Sequence, residues 1–409
     1  MNAGATDWCR LGMSVTAEQP VWLRRVTQPG IAVFALIFAL ESLSRSTLAA
    51  LIPLQAYAIL HQARNVSLAY FAVSITGFCA SFVIPLLIRR FRRRWVYTAG
   101  VVMLILCAGC LATATFTGQI AAMVLRSLAA ASLNITLSLY TLDYIRKRDL
   151  VRSEPFKAVM SAASWTLGPA LGVYLYREVG HGTAELLSAG AAAALLCYFW
   201  YLRMKENPAV AAATRAAPNP FRSVRRFISQ PRLRLGWFIP FARSCWWSMF
   251  FVYPSIYMVQ SGKGELAGAV LLSAGNAVLF GAFYVGRLAQ RRGIRRLIIG
   301  AFIGAGVMTI LASLAYPWPW LAAGLLLAGA LNVMVLDGLG NIPFLRAVKP
   351  FERPQMATVF RTYIDLSDLL PAALYSVLLS FFDIRVVFLA AGLWMLVAAG
   401  VARHLPRSM

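Results

Sequence analysis

Charged side chains are scarce in this 409-residue chain: they make up 13% of the residues, and only 15 of them are acidic. Soluble domains carry about 25% charged residues, so folding as a water-soluble protein is excluded. The three histidines and six cysteines show no metal-ligand spacing, and all the cysteines except Cys9 fall within apolar runs. We therefore expect no metal site and no cofactor.

Most of the sequence consists of long continuous apolar runs, and 60% of the residues are hydrophobic. A membrane-spanning helix needs about 20 consecutive apolar residues. The sequence therefore predicts an all-α integral membrane protein with twelve transmembrane helices. The apolar runs lie near residues 31–58, 66–88, 95–117, 119–144, 157–177, 183–203, 235–260, 266–289, 295–316, 319–345, 355–381 and 384–404.

The 39 lysines and arginines give the chain a net charge of +24. They punctuate the apolar runs instead of forming one basic surface, so we expect no nucleic-acid partner. Most lie in the termini and in alternate loops: RRFRRR at 89–94, RKRDLVR at 146–152, the stretch 203–234, RRGIRR at 291–296 and RAVKPFER at 346–353. Basic loops stay in the cytoplasm, which predicts a multi-pass protein of the cytoplasmic (inner) membrane with cytoplasmic N- and C-termini. Residues 1–28 lack the pattern of a cleavable signal peptide, so we expect the run from Ile31 to be an uncleaved insertion signal.

The chain divides into two halves around one polar linker. We predict a cytoplasmic segment 1–30, a six-helix bundle 31–203, a basic linker 204–234, a second six-helix bundle 235–404 and a tail 405–409. The basic end of the linker is interpreted as an orienting loop in preference to a segment that binds the anionic inner leaflet.

The two halves repeat each other at an offset of about 201 residues. Three pairs of landmarks coincide at this offset: Pro53 with Pro254, Pro85 with Gly286, and Pro169 with Pro371. Six-helix halves related by an axis along the membrane normal are a recurrent transporter design.

One loop motif makes the interpretation specific. Between the eighth and ninth predicted spans stand Gly286, Leu288, Ala289, Arg291, Gly293, Arg295 and Arg296. This pattern resembles the G-x-L-A-D-R-x-G-R-R loop of the major facilitator superfamily, with Gln290 at the acidic position; the first-half copy has Arg89 there. The resemblance implies two pseudo-symmetric six-helix halves that alternate access to a central cavity. Because the acid helps to latch the cytoplasmic helix ends in that family, its absence puts the latch in doubt.

Two shorter segments resemble the drug:proton antiporters of this superfamily. Leu167-Gly168-Pro169-Ala170-Leu171-Gly172 in the fifth span is similar to part of their Gly-Pro motif, where small residues allow close helix contact. Arg126 in the fourth span stands where those antiporters carry an intramembrane arginine, although Ala129 and Ala130 replace the usual Gln and Gly. These segments favour export.

Charged residues inside the spans are the main functional signal, because a charge in a membrane-spanning helix usually faces a cavity or a partner. They are Glu41, Arg45, Arg126, Arg243, Asp337, Arg361, Asp365 and Asp368. The third, sixth, ninth and twelfth spans carry none in their cores, and the family resemblance implies that these spans face lipid.

Two interpretations of these charges remain open. Glu41 and Arg45, like Arg361 and Asp365, are four residues apart and can form structural salt bridges within a helix. Alternatively, Glu41 or one of the three aspartates exchanges a proton during transport. Arg126 has no acid within four residues, so we predict that it binds a carboxylate or phosphate of the substrate; a partner on another helix is the alternative.

Uncharged side chains complete the predicted site. Trp246 and Trp247 in the seventh span are candidates for an aromatic wall. Asn134, Asn276, Asn332 and Tyr363 are polar cavity candidates, with helix-to-helix hydrogen bonding as the favoured alternative for any single asparagine.

The sequence as a whole predicts a secondary transporter that works by alternating access. The favoured activity is proton-coupled efflux or antiport of a small amphipathic or anionic organic molecule. The alternatives are an importer of a metabolite or siderophore-like ligand, and a non-transporting scaffold or sensor. We expect no enzymatic activity, since the sequence lacks a catalytic constellation, and we expect a monomer whose partners are substrate, protons and membrane lipid.

Overall fold

The computed structural model of the protein describes residues 31–144, 147–202, 220–348 and 353–406. Within these ranges the regular structure is helical, and no strand occurs. The segment 1–30 lies outside the described residues, as do the first part of the predicted linker, residues 203–219, and the tail residues 407–409. The cytoplasmic position of both termini therefore stays a prediction.

In the described part of the first half the chain forms seven α-helices, because each apolar run can satisfy its backbone polar groups in lipid only as a helix. They are α1 Ile31–Thr47, α2 Leu51–Leu60, α3 Ala63–Arg90, α4 Arg93–Ala112, α5 Phe116–Tyr144, α6 Lys147–Tyr174 and α7 Thr183–Tyr201. A π-helical turn, Leu175–Val179, follows α6.

The predicted first span, 31–58, is broken into α1 and α2. The Thr47 hydroxyl donates to the carbonyl of Leu43 at 2.7 Å, and the Ser46 hydroxyl donates to the same carbonyl at 3.3 Å. Such side-chain bonds compete with the helix ladder and bend helices. The break lies against α6, where a Cβ atom on Gly168 would collide with Ser46 and one on Gly172 would collide with the Thr47 carbonyl. The Gly-Pro segment of α6 is thus a site of close helix packing.

The second half begins with a short helix in the predicted linker. Its helices are α8 Pro220–Ile228, α9 Pro231–Gln260, α10 Glu265–Ala277, α11 Ala282–Arg292, α12 Ile294–Leu314, α13 Pro319–Leu339, α14 Ile342–Ala347, α15 Arg353–Leu378 and α16 Arg385–Ala402. A proline in the first turn begins α9 and α13, where its missing N–H costs no hydrogen bond. The predicted linker 204–234 thus overlaps α8 and the start of α9.

Two predicted spans of the second half are interrupted. The run 266–289 forms α10 and α11, joined by the 3₁₀ turn Val278–Gly281, and its two parts meet at an angle of 57°. The run 319–345 forms α13 and the short α14. Hydropathy alone does not predict these breaks.

Eight helical stretches in the described part of the chain are long and apolar enough to cross a membrane, and the bent α10–α11 pair is a ninth candidate. Three long helices do not meet this test: α6, α9 and α15, which are 26 to 30 residues long. At 1.5 Å per residue, about 26 residues extend for about 39 Å, more than the roughly 30 Å hydrocarbon core of a bilayer. Their polar composition, and not their length, sets them apart.

The halves contact each other mainly through two helix pairs, α3 with α15 and α6 with α10. By chain position, α10 begins 202 residues after α3, and α15 begins 206 residues after α6. The repeat therefore exchanges the two contacts, as a two-fold relation between the halves requires.

Large apolar side chains cover the outside of α4, α7, α12 and α16. They include Leu106, Leu186, Leu314, Leu393 and Val397, each at least half exposed. These helices correspond to the third, sixth, ninth and twelfth predicted spans, and the predicted site charges lie on other helices.

Candidate functional site

An ion pair links α9 to α13 in the second half. Arg243 Nη1 lies 3.2 Å from Asp337 Oδ1, and the two side chains are only 10% and 24% exposed. The Trp247 indole N–H donates to Asp337 Oδ2 at 2.9 Å, and Arg243 Nη2 donates to the Tyr363 hydroxyl at 3.4 Å. Four residues that the sequence predicts separately thus form one cluster on three helices.

An aromatic contact connects this cluster to the first half. Trp247 packs against Phe251, whose ring lies 5.3 Å from that of Trp165 on α6. Trp246 has a different place: its indole N–H donates to Thr309 Oγ1 at 2.9 Å, and its side chain is buried between α9 and α12. Of the two predicted tryptophans, Trp247 faces the other half and Trp246 packs within its own.

The first half has an ion pair within α1. Arg45 Nη1 lies 3.2 Å from Glu41 Oε1, one helical turn away. Glu41 is buried at 4% exposure and its second carboxylate oxygen has no hydrogen-bond partner among the described residues, whereas Arg45 is 22% exposed. A buried carboxylate is therefore paired with a guanidinium that is partly exposed.

The second within-helix pair suggested by the sequence, Arg361 with Asp365, is not an ion pair in this structure. Asp365 Oδ1 instead accepts a hydrogen bond from Ser81 Oγ on α3 at 3.0 Å. Arg361 and Asp365 remain electrostatic neighbours, but no contact within 4 Å joins them in the described part of the chain. The carboxylate therefore contributes a hydrogen bond between the halves.

Arg126 on α5 has neither a hydrogen bond nor an ion pair in the described ranges. Its electrostatic neighbours are Arg45, which repels it, and the uncharged Cys107 and Tyr70. The cross-helix acid that would make Arg126 purely structural is thus not found among those residues.

The carboxylate of Asp368 on α15 makes no hydrogen bond or ion pair with another described residue. Its side chain is exposed, and its backbone carbonyl accepts a hydrogen bond from Ser74 Oγ on α3 at 3.3 Å. Tyr70 has both Arg126 and Asp368 as electrostatic neighbours. Tyr70 on α3 is therefore linked electrostatically to one charged residue of each half.

The three predicted asparagines differ in their hydrogen bonding. Asn276 and Asn332 each donate to a carbonyl four residues earlier in their own helix. Asn332 also packs on Gly304 of α12, inside the second half. Asn134 is half-buried on α5, and its side chain makes no hydrogen bond to another described residue. Asn134 therefore has the polar atoms that are most available to a ligand.

The loop motif lies at one end of the helix bundle that the second half forms. Gly293 connects α11 to α12 with φ of +82°, a conformation that favours glycine. Arg295 Nη2 donates to the carbonyl of Arg403 at 2.6 Å, which ties α12 to the end of α16. A Cβ atom on Gly286 would meet open space, and Arg291 and Arg296 make no ion pair to a described residue. The contact that the motif makes is within its own half.

Four residues were not predicted from the sequence. Tyr70, Ser81 and Trp165 are uncharged side chains within apolar runs, where polar or aromatic residues usually have packing roles. Glu185, at the start of α7, is 3% exposed, and neither of its carboxylate oxygens has a hydrogen-bond partner among the described residues. Only the intramembrane acid could have been found from sequence, because its burial in a span is costly.

Residues 34–370 match the sequence profile of the Major Facilitator Superfamily. The chain belongs to this superfamily. No curated protein sequence matches it. The charges on α1, α5, α9, α13 and α15 are therefore those of a membrane transporter of the Major Facilitator Superfamily.

Solved structures with the same fold share little sequence with this superfamily member. The nucleoside transporter NupG is 13% identical, with a TM-score of 0.70 over 92% of this chain and 98% of its own. A POT family transporter in complex with a thioalcohol-conjugated peptide is 14% identical, with a TM-score of 0.71 over 91% of this chain and 95% of its own. A POT family transporter in complex with 5-aminolevulinic acid gives the same values. Identities this low establish the fold alone.

Proposed function

We propose that this protein is a secondary transporter of a small organic anion, which Arg126 binds between the two halves. The observation that carries the proposal is the absence of any acidic partner for Arg126 among the described residues. A guanidinium binds carboxylate, phosphate and sulfonate groups through two parallel hydrogen bonds, and it stays charged in a desolvated site. An unpaired arginine in a spanning helix is costly, so its retention indicates a ligand.

The aromatic contact supports an organic substrate. Trp165, Phe251 and Trp247 reach across from α6 to α9, beside the Arg243–Asp337 pair. Aromatic side chains with a few polar groups are typical of sites that bind small organic molecules. The solutes named for the solved relatives, a nucleoside, a peptide and 5-aminolevulinic acid, are also small and organic.

The proposed topology has twelve spans. The eight apolar stretches, the bent α10–α11 pair and the three more polar helices α6, α9 and α15 add up to that number. Both termini and the linker then lie in the cytoplasm of a multi-pass cytoplasmic-membrane protein, which we propose to be a monomer. Maleimide labelling of a cysteine placed at Ser229 from the cytoplasmic side only, and at Lys263 from the opposite side only, tests this arrangement.

Transport requires that the two halves alternate their contacts. At the end of α3 near Ala63, Ser67 Oγ and Tyr253 Oη share a 2.7 Å hydrogen bond, and Gln260 Nε2 donates to Tyr57 Oη at 3.1 Å. These bonds support closure of the end that the proposed topology puts outside the cytoplasm. Opening there must break them.

Proton coupling is the proposed source of energy, with Glu41, Asp337, Asp365 and Asp368 as the candidate acids. The antiporter-like Gly-Pro segment favours export in the sequence, but Gly168 and Gly172 pack on the break between α1 and α2, a role that fits either direction of transport. Export and import therefore remain two forms of the same proposal, and a scaffold that moves nothing is the competing function.

The test uses purified protein in liposomes with two anions that stay ionised, benzenesulfonate and hippurate. We expect exchange of the labelled anion across the membrane, and an Arg126→Gln variant should lose it. Arg126→Lys should weaken binding at least tenfold, because an ammonium cannot form the bidentate bond. Arg177→Gln removes an exposed arginine and serves as the control.

Unchanged affinity in the Arg126→Lys variant would remove the assignment of Arg126. A folded protein that exchanges neither anion would favour the scaffold.

A further inference from the structure

A guanidinium and two indole rings form a cluster on the outside of the first half. The Cζ atom of Arg94 lies 5.8 Å from the centre of the Trp95 ring and 6.0 Å from the centre of the Trp200 ring. The two indole rings are 5.5 Å apart and meet edge to face. Arg94 and Trp95 lie in the first turn of α4, and Trp200 lies in the last turn of α7. The cluster therefore joins two helices.

Local hydrogen bonds hold the cluster in place. The Trp200 indole N–H donates to Thr98 Oγ1 at 3.2 Å, and the Thr98 hydroxyl donates to the backbone carbonyl of Arg94 at 2.8 Å. The Trp200 ring is thus fixed relative to the turn that carries the guanidinium, and the attraction between a cation and an aromatic face favours the observed position of Arg94. An arrangement that is already formed lowers the entropic cost of binding a ligand.

The hydrogen-bond donors of the Arg94 guanidinium are not used within the described part of the chain. Its side chain makes neither a hydrogen bond nor an ion pair there, and its Nε atom is buried without a partner. An aromatic ring attracts a cation but does not neutralise its charge. A guanidinium carries five N–H donors in a planar fork that matches the oxygens of a phosphate. The cluster is therefore suited to an anionic ligand.

The corresponding arginine of the second half is used differently. Arg295 lies 201 residues after Arg94, in the first turn of α12, and its Nη2 atom donates to the carbonyl of Arg403 at 2.6 Å. Val401 stands 201 residues after Trp200, where the first half has an indole ring. The arginine of the second half thus serves the packing of α12 on α16. The arginine of the first half keeps its donors for another molecule.

The cluster faces the surroundings of the helix bundle. The side chains of Trp95, Trp200 and Tyr201 are 52%, 40% and 70% exposed, on two helices whose large apolar residues cover the outside. Tryptophan and tyrosine are enriched where the hydrocarbon core of a membrane meets the headgroups. The basic loop 89–94 places this level on the cytoplasmic side in the proposed topology. The molecules that meet this surface are phospholipids.

We propose that Arg94, Trp95 and Trp200 form a binding site for the headgroup phosphate of an anionic phospholipid of the inner leaflet, of the phosphatidylglycerol type. Arg94 donates two hydrogen bonds to phosphate oxygens, and the indole rings pack against the glycerol backbone and the first methylene groups of the acyl chains. A zwitterionic headgroup carries its own cation, which competes with the guanidinium for the phosphate. The site therefore prefers a lipid with a net negative charge.

The first measurement is native mass spectrometry of the purified full-length protein, titrated in micelles with dioleoylphosphatidylglycerol and separately with dioleoylphosphatidylcholine. The first phosphatidylglycerol should bind at least about tenfold more tightly than the first phosphatidylcholine. Arg94→Gln should remove this difference. Arg92→Gln removes an exposed arginine of the same loop that contacts neither ring, and as the matched control it should lower the affinity by less than about threefold.

A second pair of variants separates the ring contacts from attraction by charge alone. Trp200→Leu keeps every charge but removes one ring, and it should weaken the binding of phosphatidylglycerol about fivefold. Tyr201→Leu removes the neighbouring exposed ring, which is not part of the cluster, and should leave the affinity unchanged. If charge alone attracted the lipid, Trp200→Leu would bind it like wild type, and the assignment of the rings would be wrong.

Photo-crosslinking locates the lipid without any variant. Phosphatidylglycerol with a diazirine in its headgroup should label wild-type protein within residues 92–98 and 198–202. A large excess of inorganic phosphate should not reduce the labelling, because the free anion lacks the apolar groups on which the rings pack.

Three results would overturn the proposal. They are equal affinities for the two lipids, equal losses in Arg94→Gln and Arg92→Gln, and crosslinks that fall only elsewhere on the protein. Displacement of the lipid by inorganic phosphate would identify a site for a free anion and would overturn the assignment to a phospholipid. None of these results bears on transport through Arg126, since the cluster lies on the outside of the first half.

Discussion

Removing one member of the Arg243–Asp337 pair should cost more stability than removing both. The ionic atoms are 3.2 Å apart in side chains that are 10% and 24% exposed. At an effective dielectric constant of about 20, two unit charges at that distance attract by about 5 kcal/mol. Desolvation of both groups offsets most of this attraction while the pair is intact, but a single substitution leaves an uncompensated buried charge.

We expect Asp337→Asn and Arg243→Gln each to lower the free energy of unfolding by about 3 kcal/mol. Asp337→Asn also weakens the hydrogen bond from the Trp247 indole, which is charge-assisted in the wild type. The double variant should lose only about 2 kcal/mol, because no charge is then left without a partner, and the coupling energy is about 4 kcal/mol.

Equilibrium unfolding in mixed micelles, titrated with a denaturing detergent, measures these differences in a double-mutant cycle. The pair Arg177–Glu265 provides the matched control: its atoms are 4.0 Å apart, and its side chains are 47% and 36% exposed. Glu265→Gln should change stability by less than about 1 kcal/mol. Additive losses in the Arg243–Asp337 cycle, or single losses below about 1 kcal/mol, would refute the reasoning.

Two further predictions concern helix contacts. Gly172→Ala should destabilise the protein by about 1 to 3 kcal/mol, since its new methyl group meets a backbone carbonyl of α1. Gly190→Ala is the control and should be neutral, because open space surrounds this glycine. Thermal unfolding of the two variants measures the difference. Tyr253→Phe removes the hydrogen bond to Ser67, which links the halves and is worth about 1 kcal/mol. The population open at the end of the protein near Ser67 should then increase about fivefold, as measured by distances between spin labels in two loops at that end. Tyr257→Phe removes a bond within the second half and should leave those distances unchanged.

The helices could be predicted because each apolar run determines its own secondary structure. A run of apolar residues must be helical in lipid whatever its neighbours are. The breaks could not be predicted in the same way. The chain between Thr47 and Leu51 reads as part of one continuous apolar run, and its break coincides with the contact with Gly168 and Gly172, more than 100 residues later.

The charged residues were predicted as individual candidates, but their pairing was predicted less well. Spacing within a helix allowed both Glu41–Arg45 and Arg361–Asp365, and the structure has only the first as an ion pair. Ser81, on a different helix, is bonded to Asp365 instead. Which of two possible partners lies closer to Asp365 depends on how the helices are packed. A single sequence does not give that distance.

The Arg243–Asp337 pair could not be predicted from the sequence either. Its members are on α9 and α13, and nothing in either helix pattern relates them. Tyr70 is the extreme case, since a tyrosine within an apolar run has no feature that separates a ligand-facing phenol from a packed ring. Its electrostatic interaction with both Arg126 and Asp368 emerges only when three helices are assembled.

Helix α3 forms hydrogen bonds to the second half at three levels, through Ser67 to Tyr253, through Ser74 to the carbonyl of Asp368 and through Ser81 to Asp365. Ser67 and Ser81 lie about 21 Å apart along the helix, and a tilt of about 10° around the Ser81 level would move Ser67 by nearly 4 Å. That displacement breaks the 2.7 Å bond at Ser67 while the bond at Ser81 survives. The helix then pivots about its hydrogen bond to an acidic side chain. The protonation state of Asp365 therefore determines the strength of the bond at the pivot.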